Sequence, residues 1–203
     1  MAKKQKFYAV KRGYKTGIFN DWNVCLEHTK GFSGAEFKSF NTQAEAEAYL
    51  ADEDIVLSDD IKPRLKKGRV VAFVDGSYNY ETSESGLGVL FLLPDGSEIE
   101  LSEKSRKFKE FRNIAGEILA VTRAVEWCVA KGYKKVSIFF DFTGIRSWAL
   151  GKWDAKTVLT QFYKNFIDEH RNVIDMEFVK VAGHSNNIYN NRVDKLAKNA
   201  VKG

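Results

Sequence analysis

The run Val70-Val71-Ala72-Phe73-Val74 constrains this chain most. Consecutive apolar residues rich in β-branched side chains suit a central strand buried on both faces. The run stops at a carboxylate, Asp75, followed by Gly76 and Ser77. A buried strand does not finish on a desolvated charge without a partner, so Asp75 is either a turn former in Asp-Gly or a ligand. Functional sites in open α/β sheets gather at strand ends, which is where the spacing places this acid.

The sequence around that strand predicts the rest of an α/β domain. Gly86 to Leu93 reads as a second strand, Pro94-Asp95-Gly96 as a turn, and Ser97 to Lys104 as a third strand alternating Ile99 and Leu101 with polar residues. Ile114, Ile118, Val121, Val125 and Cys128 recur at helical spacing, with Gly132 as the stop. A strand is predicted over Val136 to Phe140, helices over Ile145 to Leu150 and Thr157 to Glu169, a strand over Asp175 to Val181, and a helix over Tyr189 to Val201. The expectation is a mixed five-stranded sheet covered by helices.

Ahead of it, residues 1–50 read as a small β-β-α-β-α unit: strands Lys6 to Lys11, Lys15 to Phe19 and Glu36 to Phe40, and helices from Asp21 to Thr29 and from Thr42 to about Leu50. Thr42 and Glu45 have capping-box spacing before the second helix. Aromatic and basic residues interleave here, among them Tyr8, Tyr14, Trp22, Phe37 and Lys38. They serve either as a small core with solvating lysines or as a surface that stacks on bases while neutralising phosphates. Residues 51–68 are acidic, then basic, and contain Pro63, so they read as a linker. As flexible coil they would span roughly 24 Å. The second unit is then 69–203.

With 44% hydrophobic residues the 203-residue chain can bury one full core and a small second unit. It has no apolar run long enough for a bilayer and no leader segment at MAKKQKFYAV, so a cytoplasmic protein with no membrane contact is expected. Cys25 and Cys128 each fall within a helical pattern and far from any Cys-x-x-Cys spacing, so neither a disulfide framework nor a zinc site is indicated. The net charge of +5 suits a polyanion partner without requiring one.

Three further acids occupy places where solvation is awkward. Glu117 lies between Ile114 and Ile118 on the predicted inward side of its helix, Asp141 ends the strand Val136 to Phe140, and Asp194 follows Val193 in the last helix. Each alone fits an ion pair, a strand-end turn or a helix-dipole partner. Together with Asp75 they would repel one another unless cations neutralise them. Hard cations with oxygen ligands, a pair of Mg²⁺ ions, meet that need and support in-line phosphodiester hydrolysis.

The blocks FVDGSYN, RNIAGE, IFFDFTGIRSWALGKW and VAGHSNNIYNNRVDKLAK, in this order, resemble the four catalytic blocks of type 1 ribonuclease H. KFYAVKRGYKTGIFNDWNVC with GFSGAEFKSF resembles the hybrid-binding, viroplasmin-like domain found ahead of such enzymes. The resemblance implies an endonuclease that cuts the RNA strand of an RNA/DNA hybrid duplex, a monomer using two Mg²⁺ ions or Mn²⁺. It implies Asp75, Glu117, Asp141 and Asp194 as catalytic metal ligands, Asp75 shared by both ions, and His184 as a loop imidazole aiding proton transfer or product release. Asn113 would contact nucleic acid near the scissile bond. Tyr8, Trp22, Phe37 and Lys38 would face the hybrid, Trp148 and Trp153 would offer an aromatic surface to the DNA strand, and Arg112 is a candidate for the DNA-phosphate pocket. The family commonly has Asn-Glu shortly before the last aspartate, where this chain has Asn190-Asn191, and a second lysine after Lys38, where it has Ser39. Two alternatives stand beside this expectation: a catalytically silent hybrid-binding protein, and a same-fold nuclease acting on double-stranded RNA.

Overall fold

The computed structural model describes residues 6–181 and 188–202, with the side chains at 44, 45, 48 and 51–59 excepted. The chain divides into two units, one ending at Asp59 and the other beginning at Asp60.

The first unit is built from β1 (Phe7–Arg12), β2 (Gly17–Phe19), α1 (Trp22–Thr29), β3 (Glu36–Phe40) and the start of α2 (Gln43–Lys66). Its sheet runs in the order β2-β1-β3 with antiparallel neighbours. Asp21 opens α1 by accepting the Asn23 N–H at 2.6 Å, a side-chain cap for an otherwise unpaired donor. Ala9, Val10, Cys25 and Ala46 are fully buried and form its small core. The proposed Thr42–Glu45 box involves a side chain outside the described residues.

The flexible coil expected over 51–68 is corrected to helix as far as Lys66. Residues 51–66 are the second part of α2, a helix of 24 residues. Arg64 and Lys66 lie in its last turn, where cations meet the negative end of the helix dipole. Pro63 in that last turn is tolerated, and the helix stops at Gly68, whose φ of +70° suits a residue without Cβ. Gly68 N–H donates to Leu65 O at 2.9 Å and Arg69 N–H to Arg64 O at 3.1 Å, the paired bonds of a glycine-ended helix.

In the second unit β4 (Val70–Asn79), β5 (Glu84–Leu92), β6 (Glu98–Ser105), α3 (Asn113–Ala130), β7 (Lys135–Phe140), α4 (Gly144–Ala149), α5 (Val158–His170), β8 (Asp175–Lys180) and α6 (Ile188–Ala200) follow one another. The five-stranded sheet has the order β6-β5-β4-β7-β8, antiparallel where short hairpins join the strands and parallel where helices cross over. Val70, Ala72, Val74, Val136, Ile138 and Phe140 share one core with Ile118, Val121, Leu159 and Tyr163 of α3 and α5. On the other face Phe73 packs on Phe139 and on Tyr189 of α6, at ring-centroid distances of 4.8 and 5.0 Å. Cover on both faces accounts for the unbroken apolar run of β4.

Two sequence expectations change here. Strand β4 does not end at Asp75 but continues to Asn79, paired with β5 throughout, so Asp75-Gly76 is not a turn. Ile114 is not inward-facing: it lies in the first turn of α3 and is 37% exposed, because the core contact of that helix begins at Ala115.

The last turn of α2 is pinned to the sheet through Arg64. Its guanidinium grips Glu177 at 2.9 and 2.8 Å, and Ser137 Oγ donates to the same carboxylate at 2.6 Å. The Arg64 hydrogen bonds hold the Glu177 carboxyl down to about 2 from an ordinary 4.5. A folded-state value below the unfolded one contributes stability that is complete above pH 4.5 and lost as pH falls through about 2. Glu177→Gln is therefore expected to cost about 0.5–1 kcal/mol near neutrality, the scale of a partly exposed pair, with the deficit closing towards pH 2. Urea unfolding of both proteins across that range measures it, and a deficit independent of pH would refute the ionic origin.

Candidate active site

The sheet places two of the predicted acids side by side. Phe73 and Phe139 form the last paired position of the parallel β4–β7 ladder, and Asp75 and Asp141 each follow two residues later. There β7 has ended while β4 continues along β5, leaving the end of β7 open beside Asp75.

Helix α3 brings the third acid. A Cβ at Gly76 would lie 2.1 Å from Glu117 N and 2.4 Å from Gly116 C, and a Cβ at Gly116 would lie 3.0 Å from Gly76 Cα. Only two facing glycines let the backbones of β4 and α3 approach this closely. Helix α6 approaches β5 in the same way, since a Cβ at Gly88 would lie 2.2 Å from Val193 O, next to Asp194.

Asp75, Glu117 and Asp141 each offer a carboxylate oxygen within 4.8 Å of the others. Glu117 is only 9% exposed, and its Oε2 is buried without a hydrogen-bond partner. Asp75 Oδ1 accepts the Gly76 N–H at 2.8 Å. Burial, with the charges of Asp141 and Asp194 adding to it, pushes the Asp75 carboxyl up to about 6, from an ordinary 3.8. Burial first, and then the charge of Asp75, raises Glu117 well above the usual carboxylate range. Three crowded acids with an orphaned buried oxygen are a donor set short of positive charge, and a hard cation fits it.

Asp194 stands apart from the tight trio. Its carboxylate is ion-paired with Lys198 at 2.7 Å, one helical turn on, while its charge still bears on Asp75. Beside the acids opens a cleft of about 690 Å³ whose lining includes Gly76, Tyr78, Tyr80, Asn113, Asp194 and Lys198. Asn113 thus lies at the cleft as expected from its place four residues before Glu117. His184 lies outside the described residues.

A sequence profile of the family described as RNase H matches residues 67–202, which carry all of this geometry. The chain belongs to the RNase H family. A second profile, described as the ribonuclease H1 N-terminal domain, matches residues 6–50. Ribonuclease H1 of Homo sapiens is 25% identical over 97% of this chain and 89% of its own length. Among solved structures, the RNase H1 of the archaeon Halobacterium salinarum aligns with a TM-score of 0.56 at 21% identity, over 66% of this chain and 97% of that one. LC11-RNase H1 from a compost metagenome, solved with an RNA/DNA hybrid, aligns with a TM-score of 0.54 at 18% identity, over 66% of this chain and 100% of that one. These two likenesses concern the fold.

In the N-terminal domain Trp22 joins Tyr8 and Phe37, at ring-centroid distances of 5.4 and 5.8 Å. Trp22 and Phe37 remain 43% and 40% exposed, so the trio is surface as well as core. Lys38 is not beside it. Strand alternation turns Lys38 to the opposite face from Phe37, where its Nζ lies 5.6 Å from the Phe40 ring centroid. In the RNase H domain Trp148 and Trp153 meet edge-on at 5.6 Å, and the Arg112 guanidinium lies 5.5 Å from the centre of the Tyr80 ring.

Sequence reasoning passed over Gly116 and Lys198. A lone glycine inside an apolar helical pattern is a signal of close backbone approach, and a lysine four residues after an aspartate is a signal of a helical ion pair.

Proposed function

We propose that the chain hydrolyses the RNA strand of RNA/DNA hybrids at the Asp75–Glu117–Asp141 cluster, with Asp194 as the fourth ligand. The observation that carries this is the trio of carboxylates within 4.8 Å around a buried, unpartnered Glu117 oxygen, in a chain of the RNase H family. The acids would hold two Mg²⁺ ions, with Mn²⁺ able to replace them; bound there, such ions supply Lewis-acid stabilisation of in-line displacement at phosphorus. The chain's own residues set the site around that chemistry. Asp75 and Asp141, on adjacent strand ends, and Glu117, on a helix held by backbone contact, fix the negative charge in place. The Asn113 amide is suited to donate to a base edge or accept from a 2′-hydroxyl, the group that separates RNA from DNA. Lys198 can exchange its bond to Asp194 for one to phosphate. His184 is assigned proton transfer or product release. The remaining parts of the proposal are a monomer working in the cytoplasm, with a hybrid-binding domain in residues 1–50, a joining segment over 51–68 and the nuclease over 69–203.

Side-by-side cleavage of labelled RNA/DNA hybrid, RNA duplex and DNA duplex in Mg²⁺ tests the substrate. Only the RNA of the hybrid is expected to be cut, and equal cutting of an RNA duplex would sink the assignment.

Binding by the first domain should be separable from chemistry, because Tyr8, Trp22 and Phe37 offer stacking surfaces while every proposed metal ligand lies beyond residue 68. Trp22→Ala is expected to weaken binding to long hybrids by about 1–3 kcal/mol, the scale of one base–aromatic stack, and to leave cutting of short hybrids nearly unchanged. Equal affinity of both proteins at every hybrid length would remove the role from this surface.

A further inference from the structure

Strands β4, β7 and β8 are parallel neighbours, so their first residues lie together at one end of the sheet, with Asp75 and Asp141 at the other. Along β4 the six residues from Arg69 to Asp75 separate the two ends by about 20 Å. Three helices also finish at the first end, α2 at Lys66, α3 at Ala130 and α5 at His170. The chain there, residues 64–69, 131–135 and 168–177, carries eight lysines and arginines against four carboxylates, a net +4. Its arginines are occupied: Arg64 by Glu177, Arg69 by Asp175 and the Val136 carbonyl, and Arg171 by Asp168. Lys66, Lys67, Lys131, Lys134 and Lys135 are all exposed, and among the described residues none of them has an ion pair, nor has Glu169, the fourth carboxylate. Cations at helix C-termini answer the helix dipoles, but three dipoles amount to roughly −1.5 charges, so most of the excess is left over. The lysines also stand on fixed backbone. Gly132, with φ of +81°, donates to Val129 O at 3.0 Å and Tyr133 N–H to Cys128 O at 2.9 Å, the same pair of bonds that closes α2 at Gly68. Register sets these two turns side by side, because Val70 pairs with Val136. Only side-chain rotamers remain to be ordered when an anion arrives.

We infer that this end is a separate nucleic-acid surface, which holds a segment other than the one at the acids; the inference goes beyond the hydrolase reading and does not need it. Position makes the occupant a different segment: this surface and the acids close opposite ends of the same strands, so a straight duplex lying at one does not meet the other. Chemistry favours phosphate over an acidic protein. The arginine forks that would grip a carboxylate bidentately are filled. What remains is non-directional lysine charge, which suits a duplex carrying one phosphate about every 1.7 Å of its axis. A protein held by one segment meets a neighbouring segment at raised effective concentration.

The test uses Lys67→Gln/Lys131→Gln/Lys134→Gln/Lys135→Gln in the full chain, with Asp75→Asn in all proteins compared so that hybrid stays whole. A short donor-labelled RNA/DNA hybrid at saturation and an acceptor-labelled DNA duplex are mixed with each protein, and energy transfer reports both held by one molecule. Transfer is expected with Asp75→Asn alone and should fall several-fold in the lysine variant. Lys15→Gln/Lys30→Gln/Lys152→Gln/Lys156→Gln removes the same charge elsewhere and should keep the transfer. Without Asp75→Asn, the rate of the first lysine variant at saturating hybrid should match the native chain, since no proposed metal ligand lies at this end. Transfer that survives in the first variant, or falls equally in the second, overturns the surface. Polyglutamate that displaces the DNA duplex as well as unlabelled duplex of equal charge would make the partner an acidic protein and overturn the nucleic-acid assignment. Failure of the native chain to cut hybrid would overturn the hydrolase reading alone, because energy transfer is read without cleavage.

Discussion

Asp75→Asn is expected to bring hybrid cleavage near background, a loss beyond the 10- to 100-fold or so typical of groups that only support a metal ligand. Asparagine keeps the shape and removes a charge placed within 4.8 Å of Glu117 and Asp141. Hybrid binding should persist or tighten as repulsion of phosphate falls. The same change should stabilise the metal-free protein. A carboxyl raised to about 6 in the folded state favours folding while protonated and costs stability as pH rises from 3.8 through about 6. Above that pH the asparagine variant should unfold with roughly 2–3 kcal/mol more difficulty than the native chain, and below pH 3.8 the two should converge. Added Mg²⁺ should stabilise the native chain and leave the variant nearly unmoved. Single-turnover cleavage and thermal unfolding with and without Mg²⁺ measure both effects. Substantial residual cleavage by Asp75→Asn would end the assignment of this cluster.

Gly76→Ala should disable the site without touching an acid. The added methyl would sit 2.1 Å from Glu117 N and 2.4 Å from Gly116 C, both backbone atoms that no rotamer change can move. Strand β4 and α3 must separate, at a cost of about 1–3 kcal/mol, which lowers Tm by roughly 2–12 °C and shifts Glu117 away from Asp75. Gly96→Ala is the contrast. A Cβ there meets nothing within 4 Å, and its φ of +87° adds only backbone strain of about 1 kcal/mol. Wild-type stability and Mg²⁺ affinity in Gly76→Ala would show that the strand–helix contact does not position Glu117.

Much of this was readable in the amino-acid order because burial leaves a local trace. The run Val70 to Val74 announced a strand covered on both faces, and Phe73 against Tyr189 with Val74 against the α3 core is that cover. The helical spacing of Ile118, Val121, Val125 and Cys128 announced the buried face of α3. Where the local trace was weak or mixed, expectation and structure parted. The charge switch and Pro63 suggested a break, yet residues 51–66 are helical, because they continue a helix already begun at Gln43 and end it on Arg64 and Lys66, which suit the negative end of its dipole. The position of Ile114 within the repeat suggested burial, but a helix's first turn can project beyond the element it packs on.

The four acids were nameable one by one from the sequence: Asp75 and Asp141 end apolar runs, Glu117 interrupts one, and Asp194 borders the apolar stripe of the last helix. That Asp75, Glu117 and Asp141 converge while Asp194 is held by Lys198 was decided only in three dimensions. Strand register places Asp75 beside Asp141, and the Gly76–Gly116 contact sets the depth of Glu117, over separations in sequence that no local pattern encodes. In the same way, strand alternation separates Lys38 from the Trp22 cluster, although Lys38 and Phe37 are neighbours in the chain. Side-chain type and spacing thus determined which groups this protein has for its chemistry, and packing of backbone against backbone determined which of them share one electrostatic environment.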